Sequence, residues 1–151
     1  YALGGQSTTV QMGTPERNGL LHHGMTKVAA SNPHEHYART YDVPMRVPDE
    51  LFRHLPRLDF VKCDVEGFEY EVFRHMQDTL RRFRPLIQTE LNGLENRRAV
   101  AELLAGLGYA PFVLAAGGTE LVPCSAEQLG SAVTADFYFQ SVLPAAGAAS
   151  R

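Results

Sequence analysis

The sequence predicts an α/β domain built as half of a doubly wound sheet: parallel strands joined by helices, then one antiparallel strand at the end. Three observations carry this. The run Asp59-Phe60-Val61-Lys62-Cys63-Asp64-Val65-Glu66-Gly67 opens apolar, turns acidic and meets a glycine just before a helical pattern. A second run, Leu86-Ile87-Gln88-Thr89-Glu90-Leu91, repeats the form and also leads into a helical pattern. Near the end, residues 135–141 alternate around Phe137 and Phe139, as a half-buried strand does. Two successive strand–helix–strand units imply parallel strands with right-handed crossovers.

Taken in order, residues 4–12 read as a turn at Gly4-Gly5 and a strand over Ser7–Val10. Residues 13–35 carry Gly, Pro and Asn with little periodicity and read as a loop, with a weak strand at Met25–Ala29. Tyr41–Val47 is a further extended stretch. Pro48 then suits a first helical turn, with Asp49-Glu50 at the N-terminus of a short helix through His54. Pro56 ends it. The first parallel strand starts at Leu58, with Phe60, Val61 and Val65 expected to be buried on both faces.

The stretch Gly67–Phe83 reads as one helix. Phe68, Val72, Phe73, Met76, Leu80 and Phe83 form its apolar stripe; Glu69, Glu71, Arg74, Gln77 and Asp78 lie elsewhere, with Glu71 facing solvent. Arg81, Arg82 and Arg84 suit its C-terminal end, where the helix dipole favours cations. Pro85 opens the second parallel strand. A helix over Glu95–Leu107 follows, with Val100, Leu103, Leu104 and Leu107 on one face and Gly108 as its cap. Tyr109–Ala115 is a third strand. Gly117-Gly118 turns the chain so that Glu120–Val122 pairs back, and Ser125–Leu129 makes a helical turn.

At 151 residues the chain is one domain's worth. A net charge of −3 gives no basic surface for nucleic acid. No apolar run approaches the roughly 20 residues of a membrane helix. Cys63 and Cys124 lack metal-ligand spacing and read as reduced thiols, which together with the absence of a signal-peptide pattern implies a cytoplasmic protein. The start at Tyr1-Ala2-Leu3-Gly4, without Met, reads as the middle of a longer sequence.

In open α/β sheets, ligands sit beyond the carboxyl ends of the strands. Asp64 and Glu66 lie at one such end and Glu90 at the next. Carboxylates there suit proton transfer, metal binding or a cationic substrate. They equally suit the plain task of capping the following helix. Lys62, two residues before Asp64 and on the same strand face, needs a carboxylate partner in a buried strand; Asp64 or Glu90 can supply it. His22, His23, His34 and His36 around Glu35 match no established zinc spacing and read as a solvated loop.

Asp59, Lys62, Asp64, Glu66, Gly67 and Glu69, then Val72-Phe73, then Arg84-Pro85-Leu86-Ile87-Gln88-Thr89-Glu90-Leu91 resemble the C-terminal half of FkbM-type methyltransferases. Leu107-Gly108-Tyr109 and Ala2-Leu3-Gly4 also fit. The resemblance is close over residues 41–115 and looser elsewhere. It implies a Rossmann-like class I methyltransferase sheet of which residues 1–142 are the C-terminal part, with 143–151 a disordered tail. It implies S-adenosylmethionine as cofactor and a hydroxyl on a sugar or secondary metabolite as acceptor. On this reading Asp64, Glu66, Lys62 and Glu90 are the catalytic candidates, and Asp64, Val65 and Glu66 contact the cofactor; as in some related methyltransferases, Glu90 and Asn92 with Asp64 can instead hold a divalent cation such as Mg²⁺. The glycine-rich cofactor loop of such sheets is absent from these 151 residues, so the chain alone is expected to be inactive. The competing class is a non-catalytic binding module that reuses the half-sheet.

Overall fold

The computed structural model describes residues 1–143. Two five-stranded sheets and five short α-helices make up this part of the chain.

The first sheet is N-terminal and was largely hidden in the sequence. Its frame is a long antiparallel pair, β2 (Thr8–Arg17) and β5 (Tyr37–Arg46), registered from Thr8↔Met45 to Pro15↔Tyr37. The register slips between Thr14 and Pro15, where proline has no N–H to give the ladder. β1 (Ala2–Leu3) runs parallel to β5 on the other side. The expected loop at 13–35 is corrected: β2 continues to Arg17, turns through Asn18-Gly19, and returns as β3 (Leu20–Leu21). Asn18 and Gly19 both have positive φ, 54° and 78°, as a tight hairpin turn requires. The weak strand expected at Met25–Ala29 is β4 (Lys27–Val28), paired to β2 at Met12↔Val28.

The second sheet holds the parallel units. α1 (Pro48–Leu51) leads to β6 (Phe60–Cys63), α2 (Glu69–Arg74), α3 (Gln77–Phe83) and β7 (Leu86–Glu90). α4 (Leu94–Gly106), β8 (Tyr109–Leu114), β9 (Leu121–Pro123), α5 (Ala126–Ser131) and β10 (Asp136–Ser141) follow. The strand order is β6-β7-β10-β8-β9. β6 and β7 are parallel, and β10 inserts antiparallel between β7 and β8. β9 pairs back on β8 as its turn predicts. Ser125 and Gln128 bond reciprocally at the start of α5, a capping box. Fully buried Phe73, Leu80, Ile87, Leu104, Phe137 and Phe139 form the heart of the core, between the sheet and its helices. The tail expected from residue 143 lies, from 144 onward, outside the described residues.

Two expectations fail here for physical reasons. β6 is not buried on both faces. It stands at the sheet edge and alternates, with Phe60 (47% exposed) and Lys62 turned outward and Cys63 buried. The single helix expected over Gly67–Phe83 is two, broken at His75-Met76. The break is stitched by Asp49, which lies in the first turn of α1. Its Oδ1 accepts from the Thr79 backbone N–H (2.8 Å) and hydroxyl (2.7 Å), and its Oδ2 from the Asp78 N–H (3.2 Å). Its own N–H donates to the His75 carbonyl. Asp49 is thus the N-terminal cap of α3, supplied from 30 residues away. Asp49→Ala should cost about 1–2 kcal/mol, the usual worth of such a cap. Urea unfolding measures this; an unchanged midpoint would mean that water serves those donors equally well.

Arg97, near the start of α4, performs a similar task on a larger scale. Its guanidinium donates to the carbonyls of Leu91 (2.9 Å), Leu129 (3.2 Å), Ala132 (2.9 Å) and Thr134 (2.9 Å). It also lies 5.0 Å from the Phe137 ring centroid. One side chain therefore ties the end of β7 to α5 and to the lead into β10. The arginines at the end of α3 are likewise engaged in the fold: Arg82 donates to the Arg53 carbonyl and Arg84 to that of Leu107.

Candidate active site

β6 ends at Cys63, and the turn of residues 64–67 carries the acids. Glu66 and Gly67 are both left-handed, with φ of 55° and 93°. Glycine takes that conformation freely, whereas glutamate does so only when held. The holder is Glu69, in the first turn of α2. Its Oε1 accepts from the Val65 N–H (3.1 Å) and the Gly67 N–H (3.0 Å). Its Oε2 accepts from the Asn96 amide on α4 (2.8 Å). Glu69 is 1% exposed. The sequence reading set Glu69 apart from the buried stripe; that is corrected. A carboxylate in the first helical turn can fold back over the preceding turn, and three N–H donors make its burial tolerable.

The other acids sit around this turn. Lys62 Nζ is 3.4 Å from Asp64 Oδ2, and the lysine side chain is 59% exposed. The pairing with Asp64 is as one alternative had it, but the buried setting is corrected, because an edge strand leaves Lys62 in water. A pair so exposed adds little stability. Glu90, at the end of β7, accepts from the Asn92 amide (2.9 Å). Asn92 is thus engaged with Glu90, and among the described residues no three of His, Cys, Asp and Glu form a group that could hold a metal ion. The histidine-rich tract behaves likewise. Its Glu35 pairs with Lys27 (3.3 Å) and Arg17 (3.8 Å), not with a histidine.

The electrostatics single out Glu66. Partial burial raises its carboxyl above the ordinary range, Lys27 pulls it back, and the charges of Asp64, Glu90 and Glu69 push it up again. Lys27 was not foreseen as part of the site. It comes from β4, a two-residue strand that only pairing with β2 defines. Burial pushes the Cys63 thiol up to about 12, so it is no nucleophile. Beside the turn lies a cleft of about 310 Å³, lined by Leu3, Met12, Val28 and Phe68 together with Asp64 and Val65; Glu66 is not among its lining residues. The N-terminal sheet thus faces the tip of β6 across a space sized for part of a small molecule.

The raised carboxyl of Glu66 has a consequence for stability. Above its folded-state pKa, the ionised group is less favourable in the native protein than in the unfolded chain. Glu66→Gln removes that cost and should stabilise the protein at neutral pH. The gain should shrink as pH falls through the folded-state pKa and vanish below the ordinary carboxyl value of 4.5. Unfolding midpoints of both proteins between pH 4 and pH 8 test this; a gain that grows toward acid would reverse the sign and refute it.

Comparison with known proteins adds one match. The family model of the methyltransferase FkbM domain matches residues 1–111, which include both strand-tip acids and Glu90. No curated protein and no solved structure matches.

Proposed function

The chain belongs to the FkbM methyltransferase family, and from that we propose that it serves transfer of a methyl group from S-adenosylmethionine to a hydroxyl of a small molecule, a sugar or secondary metabolite. The observation that carries the reading is the turn after β6, which places Asp64 and Val65 on a cleft and holds Glu66 next to them in the chain. One carboxylate, Asp64, flanked by apolar Leu3 and Phe68, suits a small organic cation, so the residues present fit the sulfonium end of the cofactor. Bound there, S-adenosylmethionine would supply an electrophilic methyl group.

Asp64, Val65 and Glu66 would hold the cofactor at that end. Asp64 faces the cleft and attracts positive charge, and Lys62 steadies it. Glu66 takes the proton of the acceptor hydroxyl. Its raised carboxyl brings it nearer the working pH than an ordinary glutamate, which favours a general base. Glu90 adds negative charge that keeps Glu66 basic. The pattern GxGxxG is missing from the 151 residues. They therefore supply the acid-bearing part of the site and not the loop that grips the rest of the cofactor.

Methyl transfer itself is the test. The product of the whole gene is incubated with methyl-labelled S-adenosylmethionine and hydroxyl-bearing small molecules, and mass spectrometry locates the label. Label on oxygen supports the reading; ligand binding with no transfer would favour a binding module. Isothermal titration of S-adenosylmethionine into the 151-residue chain should show binding weaker than micromolar. Micromolar binding would overturn the claim that this stretch holds only part of the site.

A further inference from the structure

Glu66 does not hold its own position. An ordinary glutamate leaves the left-handed conformation when nothing prevents it. Here the amides on both sides, Val65 N–H and Gly67 N–H, converge on one oxygen of Glu69. The two N–H groups form a small concave nest around that oxygen. The second oxygen is tied by Asn96 to α4, which packs on α2. Glu69 is 1% exposed and, among the described residues, makes no ion pair. All its donors are neutral. Nothing lets it touch the cleft, so it acts only through the turn.

We propose that Glu69 and Asn96 are positioning residues: a buried clamp that fixes the 64–67 turn so that Glu66 is presented to the acceptor hydroxyl. This rests on the reading of Glu66 as the base. Methionine at position 69 fills similar space but offers no comparable acceptor, so both turn N–H groups and the Asn96 amide lose their partner. Glutamine at position 69 restores every match, because its oxygen takes the two N–H groups and its amide donates to the Asn96 oxygen once that side-chain amide turns over.

The experiment uses the same whole-gene product and reads two quantities. Glu69→Met should lower kcat by about 100-fold, the scale of a misplaced catalytic group, with KM for S-adenosylmethionine little changed. The Val65 and Gly67 amides should exchange with solvent fast in Glu69→Met and slowly in the wild type. Glu69→Gln should keep slow exchange and hold kcat within about tenfold of wild type. A Glu69→Gln variant as slow as Glu69→Met, or full activity with both amides exchanging fast, overturns the proposal. If Glu69→Met fails to fold, Asn96→Ala keeps the turn bonds but frees the second oxygen. It should lower kcat about tenfold, and unchanged kcat would count against the clamp. A wild type without methyl transfer removes the reading of Glu66 and this proposal with it. Slow exchange of the two amides would then show that the clamp itself is real and that the error lies in the chemistry.

Discussion

Glu66→Gln lowers kcat for methyl transfer by about 100-fold or more, the scale on which a general base contributes. The side chain keeps its length and its place in the turn, since the Glu69 bonds reach the flanking amides and not Glu66 itself. Only the ability to take a proton is lost. Asp64→Asn should act differently: it removes negative charge at the cleft rim and should raise KM for S-adenosylmethionine more than it lowers kcat. Glu71→Gln is the control. Its carboxylate pairs with Arg74 (3.2 Å) on α2 and lies 3.6 Å from His75 just past the end of that helix, and activity should stay near wild type. The pH–rate profile adds a check, since its acid limb should follow the raised Glu66 carboxyl and disappear in Glu66→Gln. If Glu66→Gln and Asp64→Asn both fold and keep full activity, the acids serve only to shape the turn, and the catalytic reading is wrong.

Arg97→Ala should destabilise the protein by about 2–4 kcal/mol. A hydrogen bond from a charged donor is worth about 1.5–3 kcal/mol, and Arg97 makes such bonds to four carbonyls. Their sum is not reached, because the side chain is half-buried and water can reach some of the freed carbonyls. Arg97→Lys should recover only a fraction, since an ammonium group cannot span four acceptors that a planar guanidinium reaches at once. Urea unfolding monitored by circular dichroism measures both. A loss below about 1 kcal/mol for Arg97→Ala would mean that solvent replaces the whole network.

Apolar periodicity located β6, β7, β8 and β10 and the helical stretches between them, though not the break at His75, and the short link before the last strand pointed to its antiparallel sense. These elements are legible because each buries a face, and burial imposes a repeat of two or of 3.6 on the residues. The acids Asp64, Glu66 and Glu90 were legible as strand-tip residues for the same reason. The Asn18-Gly19 hairpin was also written in the sequence, in a dipeptide that favours such a turn, and its signal was lost among neighbouring glycines and prolines. What remained needed the folded chain. The helix breaks at His75 because the cap for its second half comes from Asp49, far off in sequence. Lys62 is exposed because β6 stands at a sheet edge, and strand order is not a local property. Lys27 enters the site on a strand that exists only through its ladder to β2. Glu69 is buried because Val65, Gly67 and Asn96 bring their donors to it, and a charged residue's burial is decided by the partners it finds in space, not by its neighbours in the chain.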